Sequence, residues 1–87
     1  MKVKLELESN DVGQIMDGLQ SRFEAWERTE KYLNDEPVDG DIEECSSAAE
    51  AKAIADHYDS IMQQIDHQLF AQREAKNEIH PVHAPET

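Results

Sequence analysis

"VGQIMDGLQSRFEAWERTEKYL", residues 12–33, carries one rhythm from end to end. Val12, Met16, Leu19, Phe23, Trp26, Glu30 and Leu33 follow one another at spacings of 4, 3, 4, 3, 4 and 3. Residues three and four apart share one face of an α-helix, so this is a heptad seam with a single polar member, Glu30. Asp11 and Gln14 are placed like a capping box at its start. Pro37 and Gly40 end the pattern beyond Asn34. The spacing therefore predicts a helix over 11–34, roughly 36 Å long, whose first turns are weakened by Gly13 and Gly18. On its outer side, Glu24–Arg28 and Glu27–Lys31 stand at i,i+4 and are expected to neutralise one another.

The next stretch is "DEPVDGDIEEC", residues 35–45, with six carboxylates in eleven residues. Beyond it a second helical pattern begins. Ser47 and Glu50 have capping-box spacing. Ala51, Ile54, Tyr58, Ile61 and Ile65 then form a stripe, with Leu69 beside it and Gln68 and Gln72 on its fading end. This predicts a helix over 48–77. A short link (35–46) makes the two helices antiparallel neighbours. Phe23 and Trp26 then face the alanine-rich start of the second helix, and Leu69 approaches Val12 and Met16. "HPVHAPET", residues 80–87, has two prolines and no apolar period, and is expected to be a flexible tail.

"KVKLELE", residues 2–8, alternates, with Val3, Leu5 and Leu7 on one side and Lys2, Lys4, Glu6 and Glu8 on the other. That is the period of a half-buried strand. Nothing else in the chain is a good strand, although "DIEEC", residues 41–45, could add a few extended residues. Its charge order suggests a copy of itself: antiparallel pairing about Leu5 sets Lys2 against Glu8, Val3 against Leu7 and Lys4 against Glu6. Parallel in-register pairing would oppose like charges. A two-fold dimer joined through this strand is expected; the alternative is a strand or extended arm that packs on its own helices. Two helices also give only a thin core for 87 residues, and a four-helix dimer remedies that. The expected fold is thus mainly all-α: an antiparallel two-helix hairpin with a short N-terminal β-strand, dimerising into a four-helix arrangement. Residues 1–79 form its single domain.

Composition restricts function. The formal net charge is −12, beyond the roughly 2–8 usual for a soluble small domain. This argues against direct binding to nucleic acid or to an anionic membrane. Between Asp35 and Asp66 ten acids face Lys52 alone. The single cysteine, Cys45, excludes an internal disulfide and fits a reducing cytoplasm. No signal-peptide core or membrane-length apolar run occurs.

Catalytic and metal chemistry find no support. Aligned on Gly40 as the sixth position of a calcium loop, Asp35, Asp39, Asp41 and Glu43 fall at positions 1, 5, 7 and 9. Position 3 is Pro37, however, and position 12 is Ser46, where a bidentate glutamate belongs. His57 and His67 are ten residues apart, about 15 Å along a helix, and His80 and His83 flank Pro81 in the tail. There is no Glu-x-x-His pair for a di-iron bundle, no Gly-rich phosphate loop and no nucleophile elbow. Cys45 has no general base beside it and reads as a small packed residue. No catalytic residue, cofactor or metal site is expected.

A contact surface is the better candidate. Asp59 and Asp66 lie within about 20° of each other on a helical wheel, with Asp56 about 60° aside, all away from the isoleucine stripe. Phe70 shares their side, and an aromatic among outward carboxylates suits a protein contact. Asp39, Asp41, Glu43 and Glu44 extend the acidic surface into the link. As a mimic of duplex DNA, with one charge per roughly 1.7 Å, the second helix alone is too sparse. The link and a second subunit would raise the density.

The order strand, helix, helix is similar to that of ribbon–helix–helix regulators. That family has a short first helix and reads DNA from the strand's polar face, where this chain carries Glu6 and Glu8. In size, acidity and lack of catalytic motifs the chain also resembles many phage and mobile-element proteins, including inhibitors of host defence. The expectation is a non-enzymatic, cytoplasmic, homodimeric acidic module that binds or inhibits a basic nucleic-acid-binding protein. The alternative is a structural or regulatory homo-oligomer, antitoxin-like, whose acidity only keeps it soluble.

Overall fold

The computed structural model describes residues 1–79, with side chains as far as Glu74. Two helices, α1 (Ser9–Leu33) and α2 (Ala48–Ile79), pack against each other. Trp26 of α1 sits on Ala51 and Ala55 of α2, and Val12 borders the same groove as Ile65 and Leu69, so the pair is an antiparallel hairpin. None of the described helices is long and apolar enough to cross a membrane.

The helix ends follow local chemistry. At the start of α2, the Glu50 N–H donates to Ser47 Oγ at 3.1 Å. The Glu50 carboxylate reaches back one residue further than a capping box requires, accepting from the Ser46 N–H at 2.9 Å and the Ser46 hydroxyl at 2.8 Å. At the end of α1, the Asp35 N–H donates to the Tyr32 carbonyl and the Glu36 N–H to the Lys31 carbonyl. That is the Schellman arrangement, and Asp35 occupies its left-handed position at φ 63°. The start of α1 differs from expectation. The helix begins at Ser9 rather than Asp11, with Glu8 as N-cap and no side-chain cap hydrogen bond. Asp11 and Gln14 lie inside the first turns and form no capping box.

The core is thin. The buried apolar residues among those described are Ala25, Trp26, Ala51, Ala55 and Met62. Phe23, Cys45, Ile54 and Tyr58 pack around the Trp26–Ala51–Ala55 centre, matching the expected fit of large residues on α1 to alanines on α2. The seam of α2 runs through Ala51, Ala55, Tyr58, Met62, Ile65 and Leu69, so Ile54 and Ile61 flank it. Three- and four-residue steps stay on one face equally well, and the small Ala55 turns the helix so that its own side meets Trp26. The Trp26 Nε1 is buried without a hydrogen-bond partner. The Cα radius of gyration is 18.6 Å, against about 12 Å for a compact domain of this length.

The expected strand is not present. Residues 1–8 form an arm without regular structure, and no strand occurs among the described residues. The physical reason is simple: a strand requires a partner for its peptide groups, and this chain supplies none. Val3, Leu5 and Leu7 are 70%, 74% and 50% exposed, so the arm does not bury its apolar side on its own helices. The segment 80–87, expected to be a tail, lies outside the described residues.

Candidate protein-binding surface

The acidic link is built onto α1 by three side chains. Arg28 Nε donates to the Asp41 carbonyl at 3.0 Å. The Glu43 N–H donates to Thr29 Oγ1 at 2.8 Å, and that hydroxyl donates in turn to the Ala25 carbonyl at 2.8 Å. Arg22 meets the Glu43 carboxylate at 3.3 Å. Gly40 makes room for this. Its φ is +113°, and a Cβ there would stand 3.1 Å from Arg28 Nε. The Arg22 guanidinium is held in its charged form, above its ordinary value, by the Tyr58 side chain first and Glu43 second, against a smaller opposing effect of desolvation.

These anchors change the reading of several residues. Arg28 turns to the link, and neither Glu24–Arg28 nor Glu27–Lys31 forms an ion pair among the described residues, where the ion pairs are Arg22–Glu43 and Lys52–Asp56. Glu24 instead accepts from Gln20 at 2.9 Å. Glu43 is committed to the fold through both its N–H and its carboxylate, whereas Asp39, Asp41 and Glu44 are exposed. Thr29, fully buried, is the site residue that the heptad reading passes over. Its signal is a second stripe on α1, Ile15–Gly18–Arg22–Ala25–Thr29, at steps of 3, 4, 3 and 4.

On α2, Asp59, Gln63, Asp66 and Phe70 follow at steps of 4, 3 and 4 and share one flank. Asp59 is half-buried rather than outward and accepts from Gln63 Nε2 at 2.7 Å, because the true seam lies closer to it than the isoleucine stripe would. Asp66 and Phe70 are exposed, Phe70 by 60%. Asp56 is exposed and pairs with Lys52 at 3.3 Å across one helical turn. Asp66 has no ion-pair partner among the described residues.

Cys45 donates to the Ser47 carbonyl at 3.1 Å and to Glu50 Oε1 at 3.3 Å. The Ser46 N–H, then its hydroxyl and the Cys45 thiol, hold the Glu50 carboxyl below its ordinary value. No group of three His, Cys, Asp or Glu among the described residues is placed to hold a metal ion. An open groove of about 740 Å³ lies at the far end of the hairpin, where the arm meets Val12, Ile65, Gln68, Leu69 and Gln72. No family model, curated protein or solved structure matches the chain.

Proposed function

We propose that this chain is a non-enzymatic protein-binding module that engages a basic surface, in its specific form as an inhibitor or nucleic-acid mimic acting on a nucleic-acid-binding protein. The observation that carries the reading is Phe70, exposed one helical turn beyond the unpaired Asp66. A large aromatic beside a free carboxylate supplies both an anchor and long-range steering. Asp56 and the exposed link acids Asp39, Asp41 and Glu44 widen the negative field, while Glu43 and Asp59 serve the fold more than a partner. The structural or regulatory homo-oligomer is the second reading, favoured by the uncovered arm.

The test begins with affinity capture and mass spectrometry to find the partner, followed by titration of variants. Asp56→Lys with Asp66→Lys should leave helicity intact, since both side chains are exposed. Their effect should be a steep loss of affinity and a shallower salt dependence, because charge pairing is screened over about 8–10 Å. Phe70→Ala should weaken binding at an unchanged salt slope. Unchanged affinity in both variants would reduce the acids to solvation.

A further inference from the structure

We infer that the arm is one half of an intermolecular β-ribbon: residues 2–8 pair antiparallel with the same residues of a second copy, centred on Leu5, and close the open end of the hairpin. This inference does not rest on the acidic binding surface.

Three observations lead to it. The arm lies across the groove at the open end, yet residues 1–7 take part in no hydrogen bond or ion pair among the described residues. Val3 and Leu5, 70% and 74% exposed, are the most uncovered large apolar side chains among the described residues after Met1, and Leu7 is 50% exposed. The residues that floor the groove, Val12, Ile65 and Leu69, are only partly buried. Unpaired peptide groups and uncovered apolar side chains thus occur at one place, and a second arm answers both needs.

The charge order selects the occupant and the register. Pairing about Leu5 sets Lys2 against Glu8 and Lys4 against Glu6, each twice by symmetry, on one face of the ribbon. Val3, Leu5 and Leu7 of both copies share the other face. A slip of two residues in either direction places Lys4 against Lys4 or Glu6 against Glu6. A slip of one sets charged residues opposite apolar ones. Parallel in-register pairing opposes every charge to its like. One arrangement therefore satisfies all seven positions of residues 2–8, and it requires a second copy of this chain. A two-stranded ribbon is weak alone, but here its apolar face meets the half-covered open ends, with Val12, Ile65 and Leu69 on their floor.

Two complementary variants test this: Lys2→Glu with Lys4→Glu gives an all-acidic arm, and Glu6→Lys with Glu8→Lys an all-basic one. Circular dichroism checks that each keeps its helices. Light scattering of the unaltered chain at micromolar concentration is expected to give twice the 9.9 kDa chain mass. Each variant alone should dissociate at least about tenfold more readily, since opposed like charges destabilise cross-strand pairs. An equimolar mixture of the two should recover the dimer mass. A monomeric parent across that range, a variant that dimerises as well as the parent, or a mixture that stays monomeric would each overturn the inference.

Discussion

The two ends of this hairpin share one heptad rhythm and differ in how far it is enclosed. At the link end, Ala25, Trp26, Thr29, Ala51 and Ala55 are buried. At the open end, Val12, Met16, Leu19, Ile65 and Leu69 carry the same seam and are only partly covered. Apolar content does not separate them, because every seam residue named at the open end is apolar. What separates them is a third layer. Two helices meet along a line, and each seam residue stays open to water from the sides. The link fills one of those sides through Arg22, Arg28 and Thr29. At the other end the arm crosses the groove without burying its own leucines. A heptad pattern identifies where helices touch, and the segments between and beyond them decide whether the contact is dry.

If the link end holds the stability, its loss should be the most damaging change. Trp26→Ala is expected to cost roughly 3–5 kcal/mol, enough to unfold most of the chain. A melting curve like the parent's would erase the distinction between the ends. Thr29→Val keeps the shape of the side chain and removes its hydroxyl. The Glu43 N–H then loses its acceptor, at a cost of about 1–3 kcal/mol. Faster amide exchange at Glu43, without change at the open end, would locate the effect in the link. The smallest effect comes from acid. The folded pKa of Glu50 is lowered, so its contribution is fully present above the ordinary carboxylate value and is lost as pH falls through the folded one. Stability of the parent should therefore decline in acid more than that of Glu50→Gln, measured by thermal melts from neutral pH to below pH 4.5, the ordinary value of this carboxyl.

Much of this was legible in the residues. The hairpin, the end of α1 near Asn34, the Ser47–Glu50 cap and the seat of Trp26 on alanines all follow from steps of three and four residues and from local capping. These signals are contained within a turn or two of chain. The start of α1 was less legible, because Asp11 and Gln14 have the spacing of a cap but sit one turn too late to provide it. The choice of Met62 over Ile61 depended on helix rotation, which Ala55 sets through tertiary contact. Thr29 and the Arg28 contact with Asp41 escaped because their partners are backbone groups of the link, which carry no side-chain signature. The strand reading failed as a statement about one chain, since alternation records a face and not a neighbour. For the proposed surface, exposure of Asp66 and Phe70 was legible, while the fold's use of Glu43 and Asp59 was not.

Trp26 is the only tryptophan in the chain, and its indole N–H is buried without a partner. Its emission is consequently a local gauge. It should be blue-shifted while the alanine seat is closed, and it is silent about the half of the molecule that lies beyond Leu19. Far-ultraviolet circular dichroism weights both helices along their whole length. Overlaying the two signals during denaturation turns one indole ring into a measure of cooperativity: coincident curves describe a hairpin that melts as one unit. Dichroism lost ahead of fluorescence describes helix ends that fray apart while the link end still holds.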